Sequence, residues 1–194
     1  VHNEYTPGKS HDIALVQLSG PVGDVTPAST YSMNDEQGKN IWFIGIGGTG
    51  DGILGQTIDN AANKGQMRKA QNVISEASGP LLKFTFDRGS NALPLEGVSG
   101  GGDSGGPAYT FDENGSTLLG VSSRFENGGM GQYGITEIYS RVSYFDAWIN
   151  EVISGDEQSR QDITFDQIPE LMYNAVVAIE DERFWDHAGV DLKA

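Results

Sequence analysis

Cysteine is absent from this 194-residue chain, so no disulfide and no thiolate metal site can form. Histidine is scarce: only His2, His11 and His187 could serve where chemistry needs an imidazole. Basic residues are also few, with 12 Lys and Arg against 27 Asp and Glu and a formal net charge of −15. That balance leaves no broad phosphate-binding surface and makes nucleic acid a poor candidate partner. No apolar run approaches the roughly 18 residues of a membrane-spanning helix. The first residues from Val1 have neither the charged start nor the apolar centre of a signal peptide. The expectation is that an export signal was removed or that an N-terminal part lies outside this sequence, and the motifs below favour the second. An acidic surface of this kind fits a secreted or periplasmic bacterial protein kept soluble by charge, although acidic cytosolic proteins are common too.

Glycine is abundant, at 27 residues, and the hydrophobic fraction of 37% suffices for one moderate domain and a short appendage. His11 to Leu18 is β-branched and apolar and is stopped by Gly20-Pro21, which predicts a buried strand. Further strands are predicted at Ile41 to Gly45, Gln66 to Ser75, Leu81 to Phe86, Pro107 to Thr110, Thr117 to Ser123 and Ile135 to Arg141. The turn-forming clusters between these last six suit a closed antiparallel barrel, an all-β fold. From Ser143 to Ile153 the period changes. Phe145, Trp148, Ile149 and Val152 then mark an amphipathic helix with Ser143 as its N-cap. A polar linker follows at 155–162, and a second helix is signalled by Pro169 with Leu171, Met172, Ala175, Val176 and Ile179.

Gly102-Asp103-Ser104-Gly105-Gly106-Pro107 is the strongest chemical signal. A serine hydroxyl is a weak nucleophile and needs a base to accept its proton. It also needs N–H donors aimed at the oxygen that turns negative in the tetrahedral intermediate. Glycine at 102 lets the chain turn so that its amide and that of Ser104 share one small hole, and Gly105 and Gly106 leave the approach clear. The alternative is a glycine-rich loop with an incidental serine, but six specified residues in succession arise by chance with odds on the order of one in 100,000.

With that motif, the chain resembles the trypsin/chymotrypsin family, particularly bacterial members without disulfides. His11-Asp12-Ile13-Ala14-Leu15 is similar to the strand whose aspartate orients the catalytic histidine, which assigns Asp12. Val1 to Tyr5 resembles the loop entering that strand, and Ile138 to Val142 with Trp148-Ile149 the last strand and closing helix. The resemblance covers 1–154 and implies a chymotrypsin-like fold with the second barrel complete and the first mostly missing. It implies a serine endopeptidase working through an acyl-enzyme, with Ser104 as nucleophile, the Gly102 and Ser104 amides as oxyanion donors, and peptide or protein as substrate. No cofactor and no metal are implied. Asp103 matches the aspartate that pairs with the N-terminal amine released on activation. Val98 matches the base of the primary specificity pocket, with Ser123, Arg124 and Phe125 along one wall. Glu137 either faces that pocket, favouring basic residues, or is a solvated strand charge.

The catalytic histidine has no match. His2 falls in a loop, His11 would point away from Asp12 on a strand, and His187 lies in the tail. The chain alone is therefore expected to be inactive, and a non-catalytic peptide-binding pseudoprotease is an open alternative. Beyond residue 163, Glu180, Asp181, Phe184, His187 and Gly189 resemble the opening motif of the penicillin-binding-protein peptidoglycan glycosyltransferase domain. That resemblance implies Glu180 as general base on the acceptor sugar, and lipid II as partner only if the tail belongs to an intact glycosyltransferase. The organisation expected is a peptidase portion at 1–154, a linker at 155–162 and a truncated glycosyltransferase segment at 163–194. A chimera of two coding fragments is favoured over a piece of an unusual envelope protein.

Overall fold

The computed structural model describes residues 1–112 and 115–154. The linker at 155–162, the helix predicted near Pro169 and the Glu180 to Gly189 motif lie outside them, and the chain divides into units at Ser154.

The described part is mostly β-sheet. Its strands are β1 (Ser29–Thr30), β2 (Asn40–Gly45), β3 (Thr49–Asp51) and β4 (Gly55–Ile58), then, after the single helical turn α1 (Asn60–Asn63), β5 (Arg68–Val73) and β6 (Glu76–Ser78). β7 (Leu81–Thr85), β8 (Pro107–Asp112), β9 (Gly115–Glu126) and β10 (Thr136–Arg141) complete the set. The main sheet runs β5-β2-β8-β9-β10-β7-β6, all antiparallel, with β1 added parallel to β9 and β3-β4 forming a separate hairpin. Its two end strands are consecutive stretches of chain. β5 pairs with β2, the chain bends at Ile74-Ser75, and β6 pairs with β7. The sheet therefore curls until its ends are joined by one bent segment. Asn72 stitches that bend, its Nδ2 donating to the carbonyls of Thr85 at 2.9 Å and Gly97 at 3.1 Å.

Alternating apolar residues face into the curl. Ile41, Phe43, Leu82, Phe84, Leu119 and Tyr139 form its core, with Phe43, Phe84 and Tyr139 in ring contact. At about 25 cal/mol per Å² such burial is the main source of stability. A second cluster joins Ile13 to Val142, Phe145 and Ile149 of the C-terminal turns.

Two local expectations fail. His11 to Leu18 forms no strand, and only Ile13 of its apolar set is buried, while Leu15, Val16 and Leu18 are exposed. β-propensity without a neighbouring strand cannot satisfy a ladder. Ser143 does not cap a helix. The chain leaves β10 in a 3-10 turn, Val142–Phe145, before α2 (Asp146–Ser154), and the Ser143 hydroxyl donates to the buried Glu36 carboxylate instead.

Candidate active site

Ser104 is exposed at the crest of a turn whose flanking glycines have positive φ, +102° at Gly102 and +79° at Gly105. An L side chain would be strained at either position. Around it the amides are almost all engaged. Gly100 N–H donates to Asp103 Oδ2 at 2.9 Å, Gly101 N–H to Gln56 Oε1 at 2.7 Å and Asp103 N–H to the Gly100 carbonyl at 3.0 Å. Gly105 N–H donates to the Ser122 carbonyl at 3.0 Å and Gly106 N–H to the Asp103 carbonyl at 2.9 Å. Among the described residues, the Gly102 and Ser104 amides donate to no protein acceptor. The Gly101 carbonyl accepts from Gly48 N–H at 2.8 Å, and in a trans peptide this turns the Gly102 N–H to the opposite side, away from Gly48.

Strand β9 links that turn to Asp12. Ser122 exchanges backbone bonds with the turn, accepting from Gly105 and donating to Gly106 at 2.8 Å. The next residue, Ser123, donates its hydroxyl to Asp12 Oδ2 at 2.7 Å. Ser140 on β10 donates to the Asp12 carbonyl oxygen at 2.6 Å. The same two residues of β9 thus hold the carboxylate and the serine turn. Ser123, expected along the pocket wall, has its hydroxyl turned to Asp12.

Asp103 faces inward. Its Oδ1 accepts from Gly47 N–H at 2.8 Å. A Cβ on Gly45 or Gly47 would fall 2.1 or 2.5 Å from the carboxylate, so glycine is required at both. Beside Asp103 lies a cavity of about 300 Å³, lined among others by Phe43, Gly47, Val98, Ser99 and Gly100. Val98 is half-buried against the core. Glu137, on β10 between Phe84 and Phe125, is 2% exposed, which removes the solvated-charge alternative. Burial, and the charge of Asp103 next to it, push its carboxyl up to about 8. Arg124 pairs instead with Glu126 at 3.3 Å.

The described histidines sit elsewhere. The rings of His2 and His11 are 4.9 Å apart within a cluster containing Tyr144, Phe145 and Trp148, and His11 Nε2 lies 3.2 Å from Glu4 Oε2. Burial and the neighbouring His11 lower the pKa of His2. Neither ring hydrogen-bonds to Ser104 or Asp12 among the described residues; His187 lies outside them. The described residues include no group of three or more His, Asp or Glu arranged to hold a metal.

Sequence reading missed Gln56, Gly48, Ser122 and Ser140. All act through bonds to residues at least 16 positions away, for which no local pattern exists; the glycine run 47–48 registered only as a turn.

The Trypsin family model matches residues 1–149, and the Transglycosylase model matches residues 146–194. Serine protease SSP1 of Scolopendra subspinipes is 26% identical over 161 residues, 78% of this chain and 53% of that protein. Penicillin-binding protein 1A of Clostridium novyi (strain NT) is 52% identical over 31 residues, 16% of this chain and 4% of that protein. The chain thus spans about half the length of the first relative and a small part of the second.

Proposed function

The chain belongs to the trypsin family, and on that premise we propose that it carries the nucleophile, the orienting carboxylate and the oxyanion donors of a serine endopeptidase. Ser104 Oγ attacks the scissile carbonyl carbon, its proton passes to a base, and the amine leaves with that proton as the acyl-enzyme forms. The negative oxygen is received by the Gly102 and Ser104 amides. The observation that carries this reading is the pair of unengaged N–H groups flanking an exposed serine in a turn where every neighbouring amide already has an acceptor. Asp12, tied to the same strand segment, orients and stabilises the imidazolium.

The base is not His2 or His11, which face an aromatic cluster. Among the described residues no histidine serves Ser104, and the expected outcome is that the chain alone turns over no peptide at a useful rate. Asp103, with glycines cleared around its carboxylate and a cavity beside it, receives an ammonium group, as the family resemblance implies. Val98 and Glu137 set side-chain preference in the primary pocket, for a peptide or protein substrate outside the cytoplasm.

Chemical rescue tests this reading. Added imidazole should accelerate acylation of Ser104 by a nitrophenyl ester, followed by mass spectrometry. The gain should be about tenfold, below the roughly 10²–10⁴ of a positioned base. Ser104→Ala should abolish the adduct. Peptide turnover without imidazole would overturn the inactivity, and imidazole-driven acylation that ignores Ser104→Ala would end the peptidase reading. A second reading concerns the other end of the chain. The Transglycosylase match favours Glu180 as general base of a glycosyltransferase segment acting on lipid II, a role that requires the remainder of that domain.

A further inference from the structure

Gln56 lies 45 residues before Gly101, yet its half-buried side chain enters the turn that carries the two unengaged amides. Its Oε1 accepts from Gly101 N–H at 2.7 Å, and its Nε2 donates to Asp59 Oδ1 at 3.2 Å. Its backbone is fixed as well, with its N–H donating to the Met130 carbonyl at 2.9 Å. The amide fits a slot between two glycines. A Cβ on Gly48 would stand 2.3 Å from Gln56 Cδ, and one on Gly101 would stand 3.3 Å from Gln56 Nε2.

We infer that Gln56 is a positioning residue for the oxyanion donors, fixing the peptide before Gly101 while Gly48 fixes the one after it. The inference rests on the proposed role of the Gly102 amide. Gly101 has a peptide plane on each side. Gln56 holds the N–H of the first and Gly48 holds the carbonyl of the second, so neither plane can rotate without breaking a bond. Gly101 and Gly102 have no side chains to restrict them, and Gly102 already sits at φ +102°. Without these two restraints only the bond from Asp103 N–H to the Gly100 carbonyl holds the first plane and none holds the second, so the turn gains conformations and the Gly102 N–H loses its aim. Gln56 touches no reacting atom; it acts through Gly101. Asp59 in turn orients the Gln56 amide, so that oxygen and not nitrogen faces Gly101.

Amide resonances and hydrogen exchange of the full chain test this without requiring turnover. Gln56→Met keeps the volume and removes the acceptor. It should speed exchange at Gly101 by roughly fivefold to tenfold, the equivalent of one hydrogen bond, and shift the Gly102 and Ser104 resonances. The double variant Q56E/D59N restores an acceptor toward Gly101 and a donor toward that acceptor, and should return all three signals toward wild type. Core amides at Leu82 and Ile138 serve as the control for global unfolding. Unchanged Gly101 and Gly102 signals in Gln56→Met would overturn the inference. Equal changes in both variants would also overturn it, because fit, not the acceptor, would then be what matters. Neither result touches Ser104 reactivity, which the imidazole experiment reads separately.

Discussion

Glu137 combines burial with a neighbouring carboxylate. Its folded pKa of about 8 stands above the ordinary 4.5, first because burial disfavours its charge and second because Asp103 lies close by. Below 4.5 both folded and unfolded states hold the proton and nothing is lost. As pH rises from 4.5 to about 8 the unfolded chain ionises at this position first, so stability falls across that window. Glu137→Gln should remove the slope. Thermal unfolding at pH 5 should change little, whereas at pH 8.5 the variant should be more stable by on the order of 3 kcal/mol. A variant that is equally shifted at both pH values would count against ionisation of this carboxyl as the cause.

Strand β10 is anchored at its end by a buried ion pair. Arg141 meets Glu36 through two bonds, Nε to Oε1 at 2.9 Å and Nη2 to Oε2 at 2.7 Å, and also donates to Asn34 Oδ1 at 3.2 Å. Burial alone would raise the Glu36 pKa, but the bonds from Arg141 and Ser143 outweigh it and hold the carboxyl below its usual range. The pair ties the loop before β2 to the turn that leads into α2. Arg141→Met leaves a charge buried alone and should cost about 3–5 kcal/mol, read from the urea midpoint. Glu36→Gln together with Arg141→Met should recover part of that loss, since no unpaired charge then stays inside. The six strands predicted after residue 40 correspond to β2, β5, β7, β8, β9 and β10, displaced at their ends by a few residues. The turn-forming clusters between them made them legible. The β3-β4 hairpin was not predicted, and the stretch from Gly47 to Gly52 reads as turn because its glycines have no side chains to show a period.

At the scale of the whole molecule, a net charge of −15 with no disulfide means that self-repulsion opposes compactness and no cross-link restrains the unfolded state. Raising NaCl from about 10 mM to about 0.5 M shortens the screening length and should stabilise the fold by about 1 kcal/mol, or roughly 2–4 °C in Tm. A melting temperature that falls or stays fixed with salt would show that local pairs outweigh the net charge. Apolar residues exposed at Leu15, Val16, Leu18, Val22 and Val25 mark a segment that follows Ile13 out of the core without a strand partner.

The sequence by itself determined the family, the six strands after residue 40 and the acidic, cysteine-free character, because each depends on contiguous residues or on composition. Tertiary structure alone decided that Asp12 hangs from Ser123, that Gln56 reaches Gly101, and that Glu137 is buried beside Asp103. It also decided that His11 to Leu18 makes no strand and that Ser143 serves Glu36. Hydrogen-bond partners and dielectric surroundings are set by chain segments tens of residues apart, and a strand exists only where another strand lies beside it.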